Sequence, residues 1–316
     1  MRTRAKGALF ALQRSGRDAP LHIDPGELRG VAIRWPAVLE WAPAKAWVEP
    51  LFYGLRARVP VTVHQDIPQR LAGTVVFEFC RGERVHRVSL NYADYPDQVH
   101  LCKDDGSSPA LALEFKMQFR NGGYGNDRIL PGGFVPGASV FDSACIDWYA
   151  RRARQLRERR RFDYDVYGRF GLGFATEIRT RALQILQNQS RVRFYGGATK
   201  VNFREFLRET AGARVCLDLP GNGPFCFRLV NYLAVGACVV SPPHAVTMPV
   251  PLVDRTHIVY TRPDMSDLVD LCERYVNDDD AREAVMTAAR NYYRRHLYWR
   301  SLADYYLRNM LDRLPA

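Results

Sequence analysis

The chain has 316 residues, about twice the ~150-residue length of a typical domain, which favours two domains over one small module. Apolar residues make up 47% and charged residues 25% of it, and these ordinary globular proportions exclude a disordered, collagen-like or fibrous protein. The formal net charge of +11 is carried almost entirely by arginine, because only five of the 45 basic residues are lysines. Such a charge favours an anionic partner without choosing among nucleotide phosphates, nucleic acid and anionic lipid. Codon bias in a GC-rich genome is the alternative explanation of the composition.

Cysteine and histidine spacing indicates a cytoplasmic protein without a metal site. The seven cysteines lie far apart and form no C-x-x-C pair, so we expect free thiols in a reducing compartment. They are Cys80, Cys102, Cys145, Cys216, Cys226, Cys238 and Cys272. No histidine pair has metal-ligand spacing. The apolar patch Ala8–Leu12 is too short for a signal peptide, and no run reaches the roughly 18 apolar residues of a membrane span, so we expect any membrane contact to be peripheral.

The N-terminal half predicts an α/β domain. Runs of β-branched and aromatic residues predict strands at Gly30–Arg34, Val59–Val63, Val75–Phe79, Val85–Leu90 and Leu111–Phe119. A helix is predicted at Ala44–Arg56. Asn121–Gly137 is rich in glycine and proline and too poor in apolar periodicity for a regular element, so we predict a long functional or mobile loop.

An arginine-rich run separates the two halves of the chain. Tyr149–Arg161 has the sequence YARRARQLRERRR, the densest charge run of the protein. We place the domain boundary here, with an N-terminal α/β domain over 1–160 and a C-terminal domain over 161–316. The run is typical of the solvated face of a connecting helix, and an electropositive rim over a phosphate site or membrane is the alternative.

The C-terminal half alternates strand-like and helix-like segments, which predicts a parallel sheet with crossover helices. Strands are predicted at Tyr164–Tyr167, Arg191–Tyr195, Ala213–Leu219, Ala237–Ser241 and near His257–Tyr260. Helices are predicted at Thr176–Leu186, Asn202–Ala211 and Phe225–Val235, and from about Met265, Asp279 and Trp299. Glycine-containing turns follow the strands, as in doubly wound folds that bind ligands at the carboxyl ends of their strands.

The strongest functional signal lies in Ala213–Pro242, where a buried strand leads into a loop with Gly221 and Gly223 and then into a helix. Backbone N–H groups at such a helix N-terminus bind anions. Arg228, in the first turn of the predicted helix, is placed for a bidentate contact with a diphosphate, and Asn231 lies one turn along on the same side. A structural turn with a surface arginine is the alternative that the spacing leaves open.

Several motifs together carry a resemblance to a known family. They are a strand followed by LPGNG, a helix with RLxxYLAxGA and a VV strand, together with FDYDVYGRFG, FYGG and the closing YWRSLADYYLRNML. Over Phe162–Leu311 the chain resembles the nucleotide-sugar-binding half of GT-B glycosyltransferases, in particular the family 90 and exostosin-type branch. The resemblance implies an α/β fold of two Rossmann-like domains facing a central cleft, with a C-terminal helix that crosses back onto the N-terminal domain.

The same resemblance implies a hexosyl- or pentosyltransferase that moves a sugar from a nucleotide-sugar donor to a hydroxyl of a saccharide or glycoconjugate acceptor. GT-B enzymes need no metal, because a helix dipole and basic side chains stabilise the departing nucleoside diphosphate, so no cofactor is expected. The implied donor-site residues are Arg169 and Gly171 facing the diphosphate, Tyr195 and Gly196 near the base, and Gly221, Gly223, Arg228 and Asn231 around the phosphates and ribose. Related retaining enzymes carry a glutamate near the arginine-bearing helix, and GPFCFRLVNYL has none, so inversion and retention both stay open.

An inverting transfer needs a base to deprotonate the acceptor, and the candidates are Asp94 and Asp97 after the strand Val85–Leu90. A solvated turn is the alternative for both. Lys116 is a candidate for reaching the diphosphate from the N-terminal side, since a lysine among apolar strand residues needs an anionic partner if it is buried. An exposed strand face is the alternative.

The arginine surplus supports a second hypothesis, a nucleic-acid-binding or DNA-modifying protein. The aromatic and basic cluster Asn291–Arg300 contains residue types that stack on bases and bind phosphates, although a helix with its aromatic side chains packed inward explains it better. The arginines are scattered through both halves and no recognition motif occurs, so nucleic acid is the less favoured partner.

Overall fold

The computed structural model of the chain describes residues 23–101, 110–134, 140–159 and 161–316, with the backbone alone at residues 140–145 and 157. The expectations for Ala8–Leu12, for Cys102 and for the Cys145 side chain lie outside the described residues. The strands are β1 (Val31–Pro36), β2 (Val61–His64), β3 (Thr74–Arg81), β4 (Arg84–Asn91), β5 (Leu113–Lys116), β6 (Phe119–Arg120), β7 (Ile129–Pro131), β8 (Tyr164–Arg169), β9 (Phe194–Gly197), β10 (Ala213–Leu217), β11 (Cys238–Ser241), β12 (Val246–Thr247) and β13 (Val259–Tyr260). The helices are α1 (Lys45–Arg56), α2 (Val140–Glu158), α3 (Thr176–Gln187), α4 (Phe203–Ala211), α5 (Phe227–Val235), α6 (Leu268–Asn277), α7 (Asp279–Tyr292) and α8 (Trp299–Arg313), with a 3-10 turn at Ala42–Ala44 and a π-helical turn at Tyr293–Leu297.

The chain divides into two compact units. Unit 1 lies within Met1–Ser139, Ala245–Pro251 and Arg294–Ala316, and unit 2 within Val140–His244 and Leu252–Tyr293. Unit 2 therefore begins with α2, ahead of the boundary expected after residue 160, and α8 belongs to unit 1. Both units combine strands with helices, which confirms the predicted α/β class.

Unit 1 contains a six-stranded mixed sheet with the order β2-β1-β3-β4-β5-β7. β1 is parallel to β2, while β1, β3 and β4 pair antiparallel. The remaining strands β4, β5 and β7 run parallel, so their carboxyl ends meet at one edge of the sheet. That edge carries Asn91 and Lys116, the last residues of β4 and β5.

The C-terminal helix α8 packs into unit 1 through its aromatic residues. The ring of Tyr306 is fully buried, stacks on Phe115 of β5 with ring centroids 3.9 Å apart, and its hydroxyl donates to the Gly132 carbonyl at 2.9 Å. Arg58 forms a two-pronged ion pair with the buried carboxylate of Asp304, at 2.7 and 2.6 Å. These contacts bind α8 to both the sheet and the segment after α1.

Unit 2 contains a five-stranded, wholly parallel sheet with the order β9-β8-β10-β11-β13. Because helices cover a parallel sheet on both faces, its strands are apolar along their whole length. The central strands β10 and β11 follow this rule, and the core of the unit is built on Val166, Val215, Leu217, Val240 and Val259.

Two predictions about the N-terminal half are wrong in detail. The described part of Asn121–Gly137 is not all loop, because Ile129–Pro131 forms β7 beside β5. A strand of three residues is too short to show a periodicity, and only its pairing partner defines it. The predicted strand Leu111–Phe119 is also divided, because β5 joins the main sheet whereas β6 pairs with β12.

Gly54 permits the close approach of α1 and α8. A Cβ atom at this position would lie 2.5 Å from the Trp299 carbonyl oxygen and 2.7 Å from the Ala303 Cβ. We expect Gly54→Ala to lower the unfolding free energy of unit 1 by about 2 kcal/mol through overpacking, although helix propensity alone would raise it by about 1 kcal/mol. Urea unfolding followed by tryptophan fluorescence measures this, and a stabilised variant would contradict the packing argument.

Candidate functional site

The sheet of unit 2 reverses its strand order between β8 and β10. From β8 the chain crosses to β9 on one side and returns to β10 on the other. In doubly wound sheets, ligands bind outside the carboxyl ends of the strands at such a switch point. Here the two loops at that point are 170–175 after β8 and 218–226 after β10, and they contain the predicted residues Gly171, Gly221 and Gly223.

Arg179 of α3 forms hydrogen bonds with both loops. Its side chain is buried, its Nε donates to the Pro220 carbonyl at 2.9 Å, and its Nη1 donates to the Gly171 carbonyl. Both acceptors are neutral. Burial and the nearby charge of Arg228 lower the pKa of Arg179, and Cys226 and Asp218 only partly offset this.

Arg228 is buried too, so the surface arginine that was the alternative for this position is wrong. Its Nε donates to Asp218 Oδ1 at 3.0 Å, its Nη2 to the Leu219 carbonyl at 2.5 Å and its Nη1 to the Arg169 carbonyl at 3.2 Å. Burial is the largest influence and opposes the charge of Arg228, but Asp218, Cys226 and Tyr232 together outweigh it and raise the pKa of Arg228. The predicted contact of Arg228 with a diphosphate stays a prediction, because these bonds use three of its five N–H groups.

The switch point therefore has an excess of positive charge. Of the two buried guanidiniums, Arg228 pairs with the carboxylate of Asp218, whereas Arg179 bonds to backbone carbonyls. The exposed Lys200 adds a third cation, since its Cε lies 3.6 Å from the position that a Cβ of Gly171 would occupy. A Cβ at Gly221 would lie 3.7 Å from Arg179 Nη2, so the glycine loop rests directly on a guanidinium. This arrangement suits an anionic ligand.

The predicted residues at the ends of β8 and β9 are also close together. Arg169 makes a bidentate ion pair with the buried Glu209, at 2.6 and 2.8 Å, and this pairing raises the pKa of Arg169. Its guanidinium lies 5.2 Å from the centroid of the Tyr195 ring. The charge of Arg169 is thus neutralised inside the protein, and its predicted role at the diphosphate stays a prediction.

Tyr195 and Gly196 form a flat, partly open end of β9. Tyr195 is 40% exposed, and its ring stacks nearly parallel on that of Tyr164, with ring centroids 4.2 Å apart. Gly196 has a φ of +122°, and a Cβ there would lie 2.1 Å from the Gly168 carbonyl oxygen, so only glycine fits. An exposed, supported ring of this kind has the geometry of a base-stacking surface, which the predicted role near the base requires.

Asn231 lies on α5 beside Arg228 and is likewise buried. Its Oδ1 has no hydrogen-bond partner among the described residues. The same holds for Asp218 Oδ2, which lies 3.9 Å from His244 Nε2. The described part of the switch point thus contains two buried oxygen acceptors that the surrounding protein does not use.

Lys116 belongs to unit 1 and is fully buried, so the exposed strand face that was its alternative is wrong. Its Nζ donates to Asn91 Oδ1 at 2.9 Å and to the Ala93 carbonyl at 2.7 Å. The buried carboxylate of Glu114 lies beyond Asn91, whose Nδ2 donates to it at 2.6 Å. Burial lowers the pKa of Lys116 from 10.5 to about 8, with Glu114, Asp94 and Asp97 partly offsetting it.

The two candidate bases of unit 1 differ in their surroundings. The Asp97 side chain is 80% exposed and pairs with Arg120 at 3.1 Å. Asp94 is half-buried and near enough to Lys116 for their charges to interact. Both roles stay predictions, and the solvated-turn alternative describes Asp97 better than Asp94.

Sequence reasoning missed Arg179, Lys200, Asp218 and His244. Asp218 had a signal, because a carboxylate directly after an apolar strand is unusual. Arg179 had none, since an arginine in an amphipathic helix is normally on the surface. Asp165 of β8 pairs with Arg214 at 2.6 Å and with Arg193 at 3.1 Å.

The described residues contain no group of three or more acidic, histidine or cysteine side chains able to hold a metal ion. No described helix is both long enough and apolar enough to cross a membrane. Cys80, Cys216, Cys226, Cys238 and Cys272 are free thiols.

A wholly parallel sheet that reverses its strand order makes unit 2 a doubly wound α/β domain, with the buried Arg179 and Arg228 at its switch point. Residues 150–308, just over half of the chain, match the model of a family described as glycosyl transferase-like. The chain belongs to this glycosyl transferase-like family, which confirms the general class expected from the sequence.

Comparison with solved structures finds a glycosyltransferase from Rickettsia africae ESF-5. The two chains share 8% sequence identity with a TM-score of 0.39, and the match covers 60% of this chain and 58% of that one. The chain thus matches little more than half the length of that relative. No curated protein sequence matches the chain.

The burial of Lys116 makes the stability of unit 1 depend on pH. Because the folded-state pKa of about 8 is below 10.5, the unfolded chain binds a proton between these values that the folded chain has lost, so the contribution to stability rises with pH across that window. We expect the unfolding free energy of the wild type to gain about 3 kcal/mol relative to Lys116→Met from pH 8 to 10.5. The exposed Lys45→Met is the matched control, and urea titrations at several pH values measure the difference. Parallel pH profiles for wild type and Lys116→Met would show that the lysine titrates normally.

Asp218 is the carboxylate on which the buried arginine Arg228 depends. Asp218→Asn leaves the buried guanidinium of Arg228 without its counter-charge, and we expect it to lower the unfolding free energy of unit 2 by about 3 kcal/mol. Asp270→Asn breaks the exposed ion pair with Arg191 and should cost less than about 1 kcal/mol. Scanning calorimetry of both variants checks the contrast, and equal effects would mean that Arg228 does not need Asp218.

Proposed function

We propose that the protein transfers a sugar from a nucleotide-sugar donor to a hydroxyl of a saccharide or glycoconjugate, and that the donor diphosphate binds at the switch point of unit 2. The observation that carries the proposal is the unbalanced charge of Arg179 and Arg228, buried under a glycine-containing loop with a single carboxylate. A diphosphate supplies the missing negative charge. Family membership supports the sugar-transfer chemistry.

The chemistry needs stabilisation of the charge that develops on the departing diphosphate. α5 begins after Cys226 without a side-chain cap, so its first N–H groups are directed toward the loop. Those N–H groups, Lys200 and the N–H groups that Arg228 still has available are preorganised donors for phosphate oxygens. The leaving nucleoside diphosphate keeps the bonding electron pair of the sugar–oxygen bond, and these donors lower the energy of that state.

The end of the adjacent strand β9 supplies the proposed contacts with the nucleoside. The Tyr195 ring, supported by Tyr164, provides a stacking surface for the base. The unused acceptor oxygens of Asp218 and Asn231 supply carboxylate and amide chemistry that suits ribose or sugar hydroxyls after a small side-chain movement. Asp218 supplies the carboxylate that GPFCFRLVNYL, the stretch containing Asn231, lacks.

Unit 1 is proposed to bind the acceptor, and Asp94 is the preferred base. A base accepts the proton of the acceptor hydroxyl while the hydroxyl oxygen attacks the sugar carbon. Asp97 is exposed and paired with Arg120, whereas Asp94 is half-buried and near enough to Lys116 for their charges to interact. The assignment to Asp94 implies inversion of the sugar configuration.

We further propose transfer without a metal ion or cofactor, a hexosyl or pentosyl donor, kinship with the family 90 and exostosin-type branch, and a cytoplasmic location. Metal-independent transfer is supported by the abundance of cationic donors at the switch point. The location and the sugar rest on sequence reasoning alone.

The test is binding of nucleoside diphosphates and nucleotide sugars, with and without EDTA, measured by thermal shift and calorimetry. A ligand that binds only the native state raises the unfolding midpoint by mass action. We expect one nucleoside diphosphate to give a shift that EDTA does not change. No shift with any nucleotide would leave the switch point without its proposed ligand and would remove the basis of the proposal.

The Lys200→Gln variant locates that binding. It removes an exposed cation beside Gly171 without disturbing the core, and we expect the Kd of the nucleoside diphosphate to rise about tenfold. Arg181→Gln removes an exposed cation on the following helix and should leave the Kd unchanged. Equal losses in both variants would indicate general attraction by net charge in place of a defined site.

A further inference from the structure

The helix α2 presents a basic and aromatic face to solvent. Trp148 is 52% exposed, and Arg151, Arg152 and Arg159 are exposed as well. With 3.6 residues per turn, Trp148, Arg152 and Arg159 share one side of the helix, and Arg151 lies beside them. The four residues, which we call the α2 face, extend over about 16 Å of helix.

The opposite side of α2 is fixed to unit 2. Ile146 and Ala153 are buried there, and the helix packs on α4 and α5. Asp147 accepts an ion pair from Arg290 of α7 at 2.7 Å. Because the α2 face lies opposite these buried residues, it is directed toward solvent, and the packing of the other side of the helix fixes its position.

The charge of the α2 face is not balanced locally. None of the side chains of Arg151, Arg152 and Arg159 makes a hydrogen bond or ion pair with a described residue. The exposed acid of this helix, Glu158, pairs with Arg154 at its flank, at 3.6 Å. Three arginines thus remain for an anionic partner.

We propose that the α2 face docks the protein on an anionic lipid bilayer. Arginine guanidiniums bind lipid phosphates, and each adds to the attraction of a negatively charged surface. An exposed tryptophan at the end of a basic helix face suits the bilayer interface, where its apolar ring and its polar N–H group are both accommodated. This inference concerns a surface outside the switch point and does not depend on the proposed transfer reaction.

The observations favour a bilayer over nucleic acid. Proteins that bind single strands combine a positively charged groove with aromatic rings on which successive bases stack. The α2 face is the convex side of a helix, with a single exposed ring that contacts Tyr149 edge-on at 4.6 Å. A plane of headgroups matches that shape, and a nucleic acid strand does not.

The test is co-sedimentation of the full chain with vesicles. We expect binding to mixed phosphatidylcholine and phosphatidylglycerol vesicles, weakened by salt, and little binding to pure phosphatidylcholine. Arg151→Gln, Arg152→Gln and Arg159→Gln combined should weaken the partitioning about a hundredfold. Removing the exposed Arg181, Arg255 and Arg262 of unit 2 in the same way takes away equal charge and should leave most of the binding.

A second readout reports on Trp148 itself. Brominated lipid should quench part of the tryptophan fluorescence of the wild type, and Trp148→Phe should lose that part while its thermal midpoint and nucleotide affinity stay unchanged. Equal loss in both triple variants would overturn the proposal in favour of general charge attraction. Vesicle binding that is unchanged in the α2 triple variant would also overturn the proposal. If that variant kept its vesicle binding and lost binding to an oligonucleotide, the result would favour nucleic acid as the partner.

Discussion

The structure of unit 2 depends on two arginines that are buried at the carboxyl edge of its sheet. Arg179 holds the loops after β8 and β10 through their carbonyls, and Arg228 holds the ends of the same strands through Asp218, Leu219 and Arg169. Buried charges persist when hydrogen bonds satisfy them, and here backbone oxygens provide most of those bonds. The loops are thereby fixed in place, while the positive charge is only partly neutralised. One arrangement thus supplies both the rigidity and the electrostatic attraction that an anion site needs.

The arginine residues of this chain have at least three different roles, which the amino-acid composition does not distinguish. Arg169 is neutralised by Glu209 and is part of the packing between β8 and α4. Arg214 and Arg193 share Asp165 and stabilise the start of the sheet. The arginines of the α2 face have no such partners among the described residues. The net charge of +11 is therefore less informative than the positions at which a carboxylate is missing.

Unit 1 handles its buried charge differently. Lys116 and Glu114 lie two residues apart on the same face of β5, and Asn91 connects them by donating to the carboxylate and accepting from the ammonium group. The backbone N–H groups of His100 and Leu101 complete the carboxylate shell, each at 2.9 Å. Lys116 also donates to the Ala93 carbonyl, so this network fixes the backbone next to the half-buried Asp94.

The sequence by itself determined the alternation of strands and helices in the C-terminal half, the glycine loop after β10 and the family resemblance, because these are local patterns with periods of two and 3.6 residues. It predicted Gly171, Gly221, Gly223 and Arg228 at one site, and the structure places all four at the switch point. It missed the strand β7 and the role of Arg179, because a three-residue strand is defined only by its partner and a buried arginine only by its acceptors. Those acceptors are far away along the chain, since Pro220 lies 41 positions after Arg179 and Glu209 lies 40 positions after Arg169. Tertiary structure alone decided which arginines are neutralised and which are not, since burial and pairing depend on contacts that no local pattern records.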